Sequence, residues 1–334
     1  MTRRELIKTT LSHKNPGKVP YAINLTSEGN EAYGKQLLED YPNPQVKKDL
    51  EAGIIYLAQA GSLTIGNHML YVYPPWWNWT NLTDRFLVDY DTPETLPDTV
   101  GHGSYESFFA QIKHLREHYD VYLLATIWGS HWEKAYFSRG IENFLADLAA
   151  DPEWAQQLLD MIIRKNLVML ENILTAPEID GVLLGSDWGT QRDLIMSPES
   201  WRRMIKPGEK QEYELIKRYG KDVFVHSCGC ITRIMEDMVE LGLDGLNPVQ
   251  PECMDLGFLK REYGDTITFY GGISTQQTLP NGTPAEVAAE VRETVALMSV
   301  DGGYITSPSQ EIQTDVSYEN LRALIDTAAE FSYV

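Results

Sequence analysis

The sequence predicts a closed (β/α)8 TIM barrel, and three observations carry that reading. Short, nearly continuous apolar runs recur along the 334 residues. Long stretches of helical period follow all but the early ones. No glycine-rich phosphate loop follows an early strand, which places a doubly wound open sheet second. The runs are 19–25 (VPYAINL), 62–66 (SLTIG), 121–127 (VYLLATI), 180–187 (DGVLLGSD), 222–229 (DVFVHSCG), 243–249 (LDGLNPV), 266–273 (TITFYGGI) and 302–308 (GGYITSP). Such continuity is what a parallel strand covered on both faces requires.

The helices announce their starts. Asp151-Pro152-Glu153, Ser197-Pro198-Glu199 and Thr283-Pro284-Ala285-Glu286 each set a capping side chain before a proline at the first helical position. The last is also a capping box. Segment 67–103, with MLYVYPPWWNWT and FLVDYD, breaks the alternation. It reads as an insertion over the barrel mouth, with a hairpin as one form. No linker or internal repeat divides the chain, so residues 1–334 read as one domain.

Composition narrows the function classes. With 43% apolar and 23% charged residues the chain is ordinary for a globular protein. A net charge of −20 argues against non-specific binding to nucleic acid or to an anionic membrane. Three cysteines make no disulfide framework and fit a reducing compartment. The N-terminus has no apolar signal core, and no run of about 18 apolar residues occurs. The expected location is the cytoplasm.

In such barrels the active site lies at the carboxyl ends of the strands. The first run carries Asn24 and leads into Thr26, Ser27 and Glu28. The fourth ends in Asp187, Trp188 and Gln191, and the fifth in His226, Ser227 and Cys228. The sixth ends in Asn247, then Gln250, Glu252 and Cys253. The seventh ends in Gly271-Gly272, where a backbone can approach a ligand closely. The last ends in Ser307, Ser309, Gln310 and Glu311. These polar groups are expected on one rim.

His226 and Cys228 stand two apart, so on a strand both point to one face. At ~3.3 Å per residue they lie about 6–7 Å apart along the chain, a spacing that suits two donors converging on one zinc. Cys253, after the next strand, is a third candidate ligand. The competing reading makes His226 a structural or substrate-binding imidazole and the thiols buried hydrophobes. Cys230 reads as a filler at the start of the following helix. Asp187 and Gln191 read as catalytic and substrate-orienting, because a carboxylate at the end of a buried strand is costly unless paired or used. The cluster of Trp76, Trp77 and Trp79 reads first as packing of the insertion, and alternatively as an aromatic lid or cage for a cationic or aromatic ligand.

The ordered set SDWGTQ, LIMSPESWRRMIKP, HSCG, GLDGLNPVQ, LKREYGD, FYGGISTQ and GGYITSPSQEIQTDVSYENLRAL, with the opening RRELIKTTLSHKNPGKVPYA, resembles the uroporphyrinogen decarboxylase superfamily over nearly the whole chain. The resemblance implies one barrel domain with N-terminal helices. True decarboxylases of that superfamily carry an arginine-rich motif after the first strand. Here that region reads PYAINLTSEGNEAYG, without arginine, so an octacarboxylate substrate lacks its clamp. The zinc-dependent, corrinoid-linked methyltransferases of the superfamily are the nearer type. Their His-x-Cys matches His226 and Cys228, whereas their distal cysteine falls at Ser307. Cys253, Glu252 or Glu311 are the replacements on offer. The resemblance therefore implies zinc as cofactor, a corrinoid on a partner protein, and methyl transfer involving a small methylated substrate or a thiol. It implies homodimers in some members. Asn24, Trp76, Trp77, Trp188, Asn247, Gln250, Gly272 and Gln310 are the expected substrate contacts. The alternative is a metal-free decarboxylase of a smaller acid. A non-catalytic carrier on the same barrel ranks third.

Overall fold

The computed structural model describes residues 1–41, 44, 46–48, 63–66, 68–79, 99–102 and 104–333. In chain order these form α1 (Arg3–Leu11), β1 (Ile23–Leu25), α2 (Ser27–Asp40), β2 (Leu63–Ile65), β3 (Met69–Val72), β4 (Trp76–Trp79), β5 (Thr99–His102), α3 (Tyr105–His118) and β6 (Tyr122–Ile127). There follow α4 (His131–Arg139), α5 (Ile141–Ala150), α6 (Pro152–Leu174), β7 (Gly181–Gly185), α7 (Pro198–Met204), α8 (Lys206–Arg218), β8 (Asp222–His226), α9 (Met235–Leu241) and β9 (Gly245–Asn247). The chain closes with α10 (Leu256–Tyr263), β10 (Thr268–Ile273), α11 (Thr278–Asn281), α12 (Pro284–Met298), β11 (Tyr304–Pro308) and α13 (Tyr318–Tyr333). Packing groups them into two compact units. One comprises 1–71, 114–124 and 244–334, the other 72–113 and 125–243.

In the first unit β10 pairs in parallel with both β9 and β11, Phe269 lying opposite Leu246 and Tyr304. Every residue of β10 and β11 is buried, as two-sided cover demands. Beyond β11 the chain before β1 pairs in parallel, Ala22 N–H donating to the Thr306 carbonyl (3.0 Å). The expected capping box closes α12, with Thr283 and Glu286 bonded reciprocally. The run 62–66 departs from expectation. Leu63–Ile65 pairs antiparallel with β1 instead of serving as a barrel strand. The chain turns at Gly66 (φ 105°), where any side chain would strike the Tyr21 carbonyl. Met69–Val72, read as insertion, is instead the strand beside β6, with Tyr122 N–H donating to the His68 carbonyl (2.9 Å).

In the second unit β7 and β8 pair in parallel from Gly181–Asp222 to Gly185–His226. Residues Val182 to Leu184 and Val223 to Val225 are at most 1% exposed. Helices α6 and α8 pack together. Asp151 caps α6 by accepting from Trp154 N–H (3.2 Å), and Ser197 caps α7 through Ser200 N–H (3.1 Å). Within the insertion, β4 and β5 form the hairpin pairing, Trp76 opposite His102 and Trp77 opposite Gly101. The side chains of Trp76, Trp77 and Trp79, and residues 80–98 with FLVDYD, lie outside the described part.

Candidate functional site

The ends of β7 and β8 come level, and the two loops that follow are laced together. Ser186 N–H donates to the His226 carbonyl (2.8 Å), Trp188 N–H to the Ser227 hydroxyl (3.1 Å) and Cys228 N–H to Asp187 Oδ1 (2.8 Å). Cys230 N–H donates to the Thr190 carbonyl (2.8 Å). Two glycines allow this approach. A Cβ on Gly189 would lie 2.6 Å from the Cys228 carbonyl oxygen. Gly229 sits at φ 82°, and a Cβ there would lie 2.5 Å from Gly189. The small residues of HSCGC thus have a local cause: they let one loop lie on the other.

The lacing gathers three donors. His226 Nε2 is 3.5 Å from Cys228 Sγ and 3.9 Å from Asp187 Oδ1, and one donor atom from each residue lies within 4.8 Å of the others. Strand alternation is not what joins His226 to Cys228. Strand β8 ends at His226, and Cys228 is brought back by the loop. His226 is 12% exposed at its side chain and Asp187 41%, so the cluster opens to solvent. A tetrahedral zinc with one sulfur at ~2.3 Å and one nitrogen at ~2.0–2.1 Å separates those two donors by about 3.5 Å. The donor set of imidazole, thiol and carboxylate therefore fits zinc in kind, and the His226–Cys228 pair fits it in spacing.

Neighbours set the cluster's surroundings. The Trp128 ring meets the His226 ring edge to face at 4.9 Å, and Trp128 is 45% exposed. Trp132 Nε1 donates to the Asp187 carbonyl (3.0 Å). Glu133 is buried, its Oε2 accepting from Gly129 N–H (3.1 Å) and its Oε1 from the Tyr136 hydroxyl (3.3 Å). Burial first, and the charge of Asp187 second, push its carboxyl up to about 7. Gly185, at the end of β7, leaves the space that Trp128 and Glu133 enter. Trp128 and Glu133 went unread in the sequence. The strand-end rule applied to β6 exposes them, since they follow its carboxyl end in IWGSHWEK.

The other expected site residues are distributed as follows. Gln191 is exposed. Trp188 faces the core, fully buried against Trp201 (5.4 Å between rings). Cys230 Sγ lies 3.6 Å from the Thr232 hydroxyl. In the first unit Asn24 is buried, with no hydrogen-bond partner for Oδ1 among the described residues. Asn247 Nδ2 donates to the Tyr270 carbonyl (3.2 Å), Gln250 is buried and Gln310 is exposed. Cys253 Sγ lies 3.7 Å from the Gln250 carbonyl, and Glu252 accepts from the Ser274 hydroxyl. The space beside Gly272 is taken by Thr294 and the Tyr304 hydroxyl, so packing accounts for that glycine.

A family model, uroporphyrinogen decarboxylase (URO-D), matches residues 84–331. The chain belongs to this family. Over 245 residues it is 24% identical to a methylated-thiol–coenzyme M methyltransferase of Methanosarcina mazei, covering 72% of this chain and 63% of that protein. Over 138 residues it is 25% identical to the methylcobamide:CoM methyltransferase MtaA of Methanosarcina barkeri, covering 41% of this chain and 38% of that protein. The chain thus spans less than two thirds of either relative. A solved methyltransferase from Methanosarcina mazei shares the fold, with a TM-score of 0.67, 17% identity and 99% coverage of both chains. The fold is the TIM-barrel-like α/β class that the alternation predicted. Among the described residues no helix is long and apolar enough to cross a membrane.

Proposed function

We propose that this family member is a methyltransferase that moves a methyl group between a small methylated substrate or thiol and a corrinoid carried by a partner protein. The observation that carries the reading is the convergence of Asp187, His226 and Cys228 at the ends of β7 and β8. The methyltransferase names of the sequence relatives support it.

His226, Cys228 and Asp187 would hold zinc. Zinc bound there supplies a means of keeping an acceptor thiol ionised near neutral pH, or a Lewis acid for the heteroatom of a methyl donor. The chain's own residues prepare that place. Cys228 N–H fixes one oxygen of Asp187, which aims the carboxylate. The Trp128 edge holds the His226 ring. Glu133, uncharged below about pH 7, keeps a second negative charge away from Asp187. The 45% exposed Trp128 offers an apolar surface beside the donors for a substrate methyl group or a corrin face.

The test pairs metal content with turnover. Protein purified without oxygen is analysed by elemental mass spectrometry as wild type, His226→Ala, Cys228→Ala, Asp187→Asn and Cys253→Ala. One equivalent of zinc lost in both His226→Ala and Cys228→Ala, together with loss of methyl transfer to or from a corrinoid, is the expected result. Full transfer by the His226→Ala, Cys228→Ala double variant overturns it. The family's own description provides the second reading, a decarboxylase. Carbon dioxide release without corrinoid would favour that reading.

A further inference from the structure

A second cluster in the same unit is closed to solvent and has no role in the reading above. His131 opens α4, and Glu209 and Glu212 stand three apart on one face of α8. All three side chains are at most 1% exposed. His131 Nδ1 is 3.4 Å from Glu209 Oε1 and 3.6 Å from Glu212 Oε2. One donor atom from each lies within 4.8 Å of the others.

The other nitrogen of the ring decides what Nδ1 can do. His131 Nε2 lies 3.2 Å from the Ile205 carbonyl, which can only accept. Nε2 therefore carries a proton, and in the neutral ring Nδ1 turns a lone pair toward two carboxylates. A lone pair and ionised carboxylate oxygens cannot bond one another. Accordingly Nδ1 and Oε2 of Glu212 are buried without a hydrogen-bond partner, while Glu209 has only the Tyr213 hydroxyl beside it. Orphans of this kind are costly, and a shared proton or a cation removes the cost.

Three arrangements satisfy the geometry: a proton on Nδ1, a proton on the Glu209 carboxyl, which burial and then the charge of Glu212 hold well above the usual carboxylate range, or a cation. A charge-assisted N–H to carboxylate bond closes to ~2.7–2.9 Å. Both separations here are longer, and they are nearly equal. Donors bridged by an ion stand further apart than donors sharing a proton. The surroundings support a built site. Asn166 Nδ2 donates to Glu212 Oε1 (2.9 Å), orienting that carboxylate from behind. Gly208 makes room, since a Cβ there would fall 2.7 Å from His131 Nε2. Lys134, the neighbouring cation, donates to the Gly129 carbonyl, and its charge also acts on Glu212.

We propose that His131, Glu209 and Glu212 form a second cation site, which takes a divalent first-row transition ion through one imidazole nitrogen and two carboxylates. The set has no sulfur, so it suits manganese, iron or zinc by hardness. Complete burial means that the ion enters as the chain folds and acts on stability.

The test removes the first site and asks what metal remains. His226→Ala/Cys228→Ser protein is produced with zinc and manganese in the medium, desalted and analysed by elemental mass spectrometry. About one divalent ion per folded chain is expected to remain. Adding Glu209→Gln should lower it at least about tenfold. A chelator added during thermal unfolding should lower the melting temperature of the double variant and leave the triple variant unchanged. A folded double variant without metal overturns the proposal and leaves the triad as a proton-sharing network. That first measurement decides the matter even if the triple variant fails to fold.

Discussion

Two histidines of one unit make opposite use of their surroundings. His226 sits at a strand end, 12% exposed, beside a thiol and a half-exposed carboxylate. His131 sits at a helix start, sealed from water between two carboxylates. Open donors can exchange a ligand, because water solvates them while the place is empty. Sealed donors cannot be left empty without the full penalty of burial. The first arrangement suits chemistry and the second suits structure.

The largest expected effect separates them by readout. His226→Ala or Cys228→Ala should reduce methyl transfer by roughly 100-fold or more, since outer partners of a metal site alone account for about 10–100-fold. Calorimetry should find either variant within about 1 kcal/mol of the wild type, as suits a partly exposed site. His131→Ala should do the reverse. Removing it strands two buried carboxylates and costs about 3–5 kcal/mol in denaturant unfolding.

Glu133 sharpens the contrast, being a buried carboxyl behind the open cluster. Its folded pKa of about 7 stands above its ordinary 4.5, so the unfolded chain releases this proton first. Stability is therefore lost as pH rises from about 4.5 to about 7 and changes no further above that. Glu133→Gln cannot lose it. The gap in melting temperature between variant and wild type should widen across that window, by up to roughly 3 kcal/mol in stability. The smallest effect belongs to the loop. Gly229→Ala places a Cβ at φ 82° and against Gly189, which should cost about 2 kcal/mol. Its methyl transfer should fall as well, because Cys228 no longer returns toward His226. Unchanged transfer in a folded Gly229→Ala would break the claim that the lacing builds the site.

Much of this was legible in the chain. Continuous apolar runs marked β6, β7, β8, β10 and β11, and Thr283 and Glu286 marked the start of α12. His226 and Cys228 are expected to meet through strand alternation, whereas the loop beyond β8 is what brings Cys228 to His226. Run 62–66 misled, because an apolar strand pattern does not say with which neighbour, or in which direction, it pairs. Trp188 misled similarly, since a position after a strand does not say which way the loop turns its side chain.

What the sequence alone determined is local: where the strands lie, which residues cap the helices, and which reactive side chains follow the strand ends. These depend on near-neighbour periodicity and hydrogen bonding, which the order of residues encodes directly. Only the tertiary structure decided that Asp187 joins His226 and Cys228, and that His131 meets Glu209 and Glu212 some 80 residues away. Those meetings depend on how glycines let two loops touch and on which helix face turns inward. Both are settled by packing between segments, and no short stretch of sequence carries that information.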